Sequence, residues 1–240
     1  TVSVWRRHLG SHHSRPGCAS DGGGPRRATV PQILNAAEWT FGTRGLKGTR
    51  LEDIAKVCDI PKGNILYYFG SKEDLYNATL SRLLDVWLTD ADHWLSSDKD
   101  PLDGLRGYIE AKIAFSRARP EGSRLFAQEV LSGGHMVQDF LRGELRAHVA
   151  RHVAIFLEWQ AKGIMAPIDP THLLFLLWSG TQAYADMQVQ YEAILDRTPL
   201  TDGDYETAVN TLMTLVRPLF SQPVSGASEA DENKTLKRSL

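Results

Sequence analysis

The chain has 240 residues, 42% of them hydrophobic, with 27 Lys/Arg against 29 Asp/Glu and a formal net charge of −2. That is ample apolar material for a buried core in one or two domains. Two cysteines exclude a disulfide framework, and the longest apolar run, Leu173 to Trp178, is far too short to span a bilayer. Charge is unevenly placed: residues 1–75 carry 11 Lys/Arg and 7 Asp/Glu, a net +4, and the remainder is net −6. The basic end is therefore the one suited to phosphate contacts. The N-terminal stretch lacks the apolar core of a secretion signal, so a cytoplasmic protein without membrane attachment is expected.

Residues 1–28 mix Gly, Ser, His, Arg and Pro without a period and read as a flexible arm. Arg26 and Arg27 can reach DNA from it, or can simply be solvated; His12 and His13 read as tail composition. Residues 29–43 then form a helix with one apolar stripe, Val30, Ile33, Leu34, Ala37 and Phe41, ended by Gly45. The next 26 residues, TRLEDIAKVCDIPKGNILYYFGSKED at 49–74, are the most informative in the chain. Leu51, Ile54, Ala55 and Cys58 follow helical i, i+3, i+4, i+7 spacing, and Thr49 with Glu52 reads as a capping box. Asp59-Ile60-Pro61 breaks that helix, and a second of about two turns opens at Pro61 or Lys62 and stops before Gly70. Ser71 and Asp74 cap a further helix through Leu75, Leu80, Leu83, Leu84 and Trp87. Two short helices at a tight turn, the second carrying Lys62, Asn64, Tyr67 and Tyr68, are the layout of a helix-turn-helix that reads DNA.

From residue 76 to 220 only helical periods occur, near 72–97, 101–118, 121–132, 135–141, 143–163, 170–195 and 204–220. Leu145, Val149, His152, Val153, Phe156 and Trp159 share one side of the 143–163 helix, and Asp169-Pro170 is a cap followed by a first-turn proline. Residues 221–240 are polar and read as a disordered tail. The fold class is all-α, with an arm at 1–28, a three-helix DNA-binding domain at 29–75, and a helical-bundle effector-binding and dimerisation domain at 76–220.

The head resembles the TetR family of bacterial transcriptional regulators through ILNAAEWTFGTRG at 33–45, TRLEDIA at 49–55 and PKGNILYYFGSKEDL at 61–75. Pro61 stands where that family often has a serine, and Leu66 replaces its first aromatic. Within the family, LLDVWL at 83–88, SRARPEGSRLF at 116–126 and APIDPTHLLFLLWSGTQAYAD at 166–186 are similar to the RutR-like subgroup of pyrimidine-utilisation regulators. The resemblance implies a homodimer on a palindromic double-stranded DNA operator, with a ligand pocket between effector-domain helices. It also implies a phosphate contact by Lys72.

On the residues themselves, Lys62 and Asn64 can bond base edges and Gly63 lets the backbone approach them. Tyr67, Tyr68, Lys72 and Thr49 can bond phosphate. Tyr68 can equally close the small core, which is where Phe69 belongs. Trp178, Thr181, Gln182 and Ala185 share a helix face; an indole beside a primary amide suits a small planar heterocycle such as a pyrimidine base. Trp87, Tyr108, Phe115 and Arg124 are further candidates, although tryptophans at helical spacing also serve simply as core. His148 and His152 have metal-ligand spacing, but no carboxylate or cysteine partner is evident, so neither metal nor cofactor is expected. The stripes Leu173–Leu177 and Leu212–Phe220 suit a dimer seam, with Gly180 allowing close approach. No catalytic set appears: there is no Gly-rich phosphate loop, nucleophile elbow or carboxylate pair with a neighbouring histidine. The expected function is a ligand-responsive repressor. A TetR-type regulator with an apolar acyl or drug-like ligand, or an all-helical enzyme, is the alternative.

Overall fold

The computed structural model describes residues 30–220. The arm with His12, His13, Cys18, Arg26 and Arg27, and the tail 221–240, lie outside the described residues. Eleven α-helices occur among the described residues, and no strand: α1 Val30–Gly48, α2 Leu51–Cys58, α3 Lys62–Phe69, α4 Lys72–Trp94, α5 Pro101–Ala118, α6 Pro120–Leu131, α7 Gln138–Phe140, α8 Arg146–Ala161, α9 Pro170–Asp186, α10 Gln188–Leu195 and α11 Asp202–Val216. A 3-10 turn, Arg217–Phe220, follows α11. None of these helices is long and apolar enough to cross a membrane.

The head folds as its apolar stripes dictate. Ile33, Leu34, Ala37 and Phe41 of α1, all four stripe residues of α2, Ile65 of α3 and Leu75 of α4 are buried together, while Val30 is exposed. Gly45 takes φ 67°, a left-handed conformation that breaks α1. Asp59 closes α2 in the same region, with φ 55°. Ser71 Oγ accepts from the Asp74 amide at 3.0 Å, the expected start of α4. Thr49 departs from expectation. Its hydroxyl donates to the Gly45 carbonyl at 2.8 Å and is buried, so it does not cap α2. The α2 start is instead secured by Asp53, whose carboxylate accepts from the Arg50 amide at 3.2 Å.

No linker separates head from body. Asp100 and Asp169 cap α5 and α9 through amides at 2.9–3.0 Å, with Pro101 and Pro170 in the first turns. The body then packs α6 against α1 so tightly that a Cβ on Gly42 would lie 2.2 Å from the Glu121 carbonyl oxygen. Across the same junction Gln128 donates to the Gly42 carbonyl at 3.1 Å and Tyr76 donates to Glu129 at 3.0 Å. At its centre the buried Glu38 of α1 accepts from Arg82 of α4 at 2.8 Å and from Arg119, between α5 and α6, at 2.9 Å.

Three expectations for the body are corrected. The 170–195 helix is two helices, because Met187 (φ −110°, ψ 22°) leaves helical geometry between α9 and α10. The separate segments expected at 135–141 and 143–163 are joined by a π-helical turn, Leu141–Leu145, into a continuous rod. Finally, Leu173, Leu174 and Leu177 sit in the chain's own core. Of the two stripes expected at the seam, Phe175, Leu176 and Leu215 are the large apolar residues left exposed, and Gly180 faces Leu212 of the same chain.

Candidate functional site

The candidate DNA-facing surface is the exposed side of α3. Gly63 has open space at its Cβ position, and Tyr67 is 83% exposed with its ring edge-on to Tyr68 at 5.2 Å. Tyr68 is also exposed, whereas Phe69 packs on the head core. Asn64 is half-buried near the helix start. Lys62 is paired with Glu52 of α2 at 2.8 Å, a bond that holds that carboxyl below the ordinary range. The pair is solvent-exposed, so exchanging Glu52 for a phosphate costs little. Lys72 lies at the start of α4, and its ammonium donates to the carbonyls of Leu46 at 2.9 Å and Thr49 at 3.2 Å. It thereby ties α4 to the corner between α1 and α2, with one of its three donors left over. Thr49, buried behind that corner, has no such reserve.

The second site is a cavity of about 70 Å³ between α4, α5, α8 and α9. Of the six residues expected there, Trp87, Tyr108, Trp178 and Gln182 line it. Trp178 donates its indole N–H to the Tyr108 hydroxyl at 2.7 Å. The Trp87 indole N–H is buried without a partner, an arrangement that costs ~1–3 kcal/mol until something accepts it. Phe115 stands behind Trp87, edge-on at 5.3 Å, and supports it rather than lining the cavity. Thr181 is fully buried and donates to the Leu177 carbonyl at 2.7 Å, and its own carbonyl accepts from Ser116 at 2.9 Å, so it joins α9 to α5. Arg124 likewise reaches Ala185 near the end of α9 and Gln188 at the start of α10, outside the lining.

Sequence reasoning missed Lys112. It is 5% exposed, lines the cavity, and holds its ammonium 4.6 Å above the Trp87 ring. Burial pushes this lysine down to about 8, a shift that the charges of Asp90 and Asp186 oppose. Burial raises both of those carboxyls. The signal was present in the sequence: Tyr108, Ile109, Lys112 and Ile113 follow one buried stripe, and a lysine on such a stripe demands an explanation. His148 and His152 also line the cavity, and α4 brings Asp92 to them, the carboxylate partner that was not evident from sequence.

The reading head and the body each match a known family model. Residues 33–79 match "Bacterial regulatory proteins, tetR family", and residues 80–222 match "YcdC-like protein, C-terminal region". The chain belongs to the TetR family. Among its relatives, the HTH-type transcriptional regulator RutR of Escherichia coli K12 is 40% identical over 184 residues, covering 77% of this chain and 86% of that one. The HTH-type transcriptional repressor SCO4008 of Streptomyces coelicolor is 31% identical over 152 residues, 62% of this chain and 74% of its own. In three dimensions, the transcriptional regulator SCO4942 of the same organism superposes with TM-score 0.63 at 26% identity, covering 82% of this chain and all of that one. The ketosteroid regulator KstR2 of Mycobacterium tuberculosis gives 0.64 at 17% identity, over 87% of this chain and all of its own, a likeness of fold alone. This TetR-family chain is thus a RutR-like transcriptional regulator.

Proposed function

We propose that this regulator is an effector-responsive repressor that binds a palindromic operator as a homodimer, and that its effector is a small planar molecule, a pyrimidine base first among the candidates. The observation that carries the reading is the cavity's placement. Trp87 belongs to the helix whose first residue, Lys72, anchors the head, so one rigid rod runs from effector to DNA. Two indoles offer faces for stacking, Gln182 offers a donor and an acceptor, and Lys112 offers a cation for a carbonyl oxygen. A purely apolar acyl ligand would leave that ammonium unanswered. The similarity to RutR supports the base over other planar ligands.

The cavity's size supplies a mechanism. At about 70 Å³ it holds roughly two waters. A heterocyclic ring needs more, so it binds only if side chains yield and α4 shifts. That displacement favours a second pose of the head, a population shift driven by differential affinity for the two poses. Two heads must enter major grooves about 34–36 Å apart or a multiple of it, so a tilt of α4 alters operator affinity. On the DNA, Lys62, Gly63 and Asn64 face the bases and Tyr67, Tyr68 and Lys72 hold the backbone.

Calorimetry with uracil and thymine, paired with operator binding by fluorescence anisotropy, tests the reading. The expected result is saturable heat and a change in operator affinity on adding base. Gln182→Ala should weaken base binding by roughly one to two decades while leaving operator affinity near wild type. No heat at millimolar base, with a response to another ligand class, overturns the pyrimidine assignment.

The dimer has its own test. The exposed Phe175 and Leu176 of α9 and Leu215 of α11 offer apolar surface to a second copy, and a two-headed reader needs such symmetry. Leu176→Glu should convert the dimer to monomer in light scattering at micromolar concentration and reduce operator affinity at least tenfold. A variant that scatters and binds like wild type would place the seam elsewhere.

A further inference from the structure

His148 and His152 lie one turn apart on α8 with both rings 3% exposed. Their Nε2 atoms are 3.0 Å apart, and Asp92 Oδ1 of α4 lies 3.3 Å from His152 Nε2 and 3.5 Å from His148 Nδ1. The one ligand atom that each residue offers falls within 4.8 Å of the other two.

The protons in this cluster can be placed. His152 Nδ1 faces the Leu95 carbonyl at 3.2 Å, an acceptor only, so Nδ1 carries the hydrogen and Nε2 a lone pair. His148 Nδ1 lies 2.9 Å from an Arg151 nitrogen, a donor only, so that atom is also a lone pair, and the His148 Nε2–H fills the gap to His152. Asp92 Oδ1 therefore confronts two nitrogen lone pairs with no hydrogen directed at it from either ring. The His152 lone pair is met by the His148 Nε2–H and the His148 lone pair by Arg151, which lies 3.7 Å from Asp92 and is 59% exposed, so an ion that displaced Arg151 and turned the His148 ring would meet three donor atoms. A backbone carbonyl that fixes the far nitrogen of a ring, leaving the near one bare, is the usual support of a metal-bound histidine. Ligands about 2.0–2.1 Å from one tetrahedral ion stand roughly 3.3–3.4 Å from one another, close to the 3.3 Å and 3.5 Å that separate Asp92 from the two rings.

We propose that Asp92, His148 and His152 form a binding site for a divalent transition-metal ion of the zinc class, bridging α4 and α8 at the wall of the effector cavity. Two imidazoles and a carboxylate suit such an ion better than magnesium or calcium, which take oxygen donors. Arg151 is exposed enough to swing into solvent when the ion enters. Three protein ligands leave positions open to water or to a donor atom from the cavity that both histidines line. An ion there would fasten α4 to α8, stiffening the rod that carries the reading head.

The site is tested with the full-length regulator and Co2+ as probe, free of effector. The expected result is one tightly held Co2+ per chain after desalting, with weak visible d–d absorption and no thiolate charge-transfer band. Zn2+ should displace it and raise the melting temperature. Asp92→Asn, at an exposed position that tolerates the change, should weaken Co2+ binding at least tenfold, and His152→Leu at least a hundredfold. Co2+ that fails to bind, or that binds both variants like wild type, overturns the site. Retention in wild type with loss in Asp92→Asn alone is sufficient support should His152→Leu fold poorly. Because no base enters the experiment, its outcome is separate from that of the pyrimidine assignment.

Discussion

Lys112→Met should make this regulator harder to unfold and unresponsive to its effector. The ammonium is buried with no contacting anion, and burial has pushed it down to about 8 from an ordinary 10.5. Below pH 8 the folded chain carries a charge that it would be more stable without. Between about 8 and 10.5 the folded chain has released a proton that the unfolded chain still holds, so this residue's destabilisation fades as pH rises through that window. At pH 7 the penalty is present in full, on the order of 2–4 kcal/mol by linkage. Methionine fills the same volume without charge, so most of that penalty should be recovered, raising the melting temperature by about 5–10 °C. Urea denaturation of both proteins from pH 7 to 10.5 would show the advantage of the variant shrinking with pH. Effector affinity should fall by one to two decades, the usual loss for a hydrogen bond to a charged group. A variant less stable than wild type at pH 7 would mean that the ammonium has an anionic partner in solution.

The second large effect is expected at Glu38. Its carboxylate is held by Arg82 from α4 and by two donors of Arg119, just before α6. Glu38→Ala leaves two partly buried guanidiniums facing each other, and breaking such a cluster typically costs about 3–5 kcal/mol. Glu38→Gln keeps the shape and one set of bonds, and should lose less. Chemical denaturation measures the cost, and operator binding by the surviving folded fraction measures what the clamp does for function. Loss of effector control with DNA binding retained would show that the clamp transmits the α4 shift to α1. Stability within about 0.5 kcal/mol of wild type would show that the clamp does not hold the junction together.

Much of the head was legible because each of its devices is local. The stripe Leu51, Ile54, Ala55, Cys58 is buried as its spacing requires, and Gly45, Asp59 and Ser71 act at the ends they mark. Thr49 shows where local reading stops. Its hydroxyl had a cap available three residues away, and a carbonyl of the preceding helix won. The body was less legible for the same reason. Whether Trp87 and Trp178 face one cavity depends on the rotation of two helices far apart in sequence, and spacing gave only their shared class of position. Asp92 lies on one helix and its histidines on another, so no spacing rule connects them. The break at Met187 carries no proline or glycine at the point of change, and Gly143 in the turn Leu141–Leu145 reads as a helix break where the chain instead widens into a π turn.

Helix α4 belongs to two cores at once. Leu75, Leu80, Leu83 and Leu84 close the core of the head, together with Phe115 and Leu125 from the body, while Ala91 of the same helix and Leu95 just past its end lie in the core around Trp159 and Leu174. A reading head built this way is not a cassette. Recombination that joined it to a foreign body near residue 76 would remove Leu80, Leu83, Phe115 and Leu125 from the head's core and strip Glu38 of both Arg82 and Arg119. On the proposed function, new operator specificities arise by change on the outer face of α3, and new effectors by change around the cavity. The rod between them has to be inherited whole.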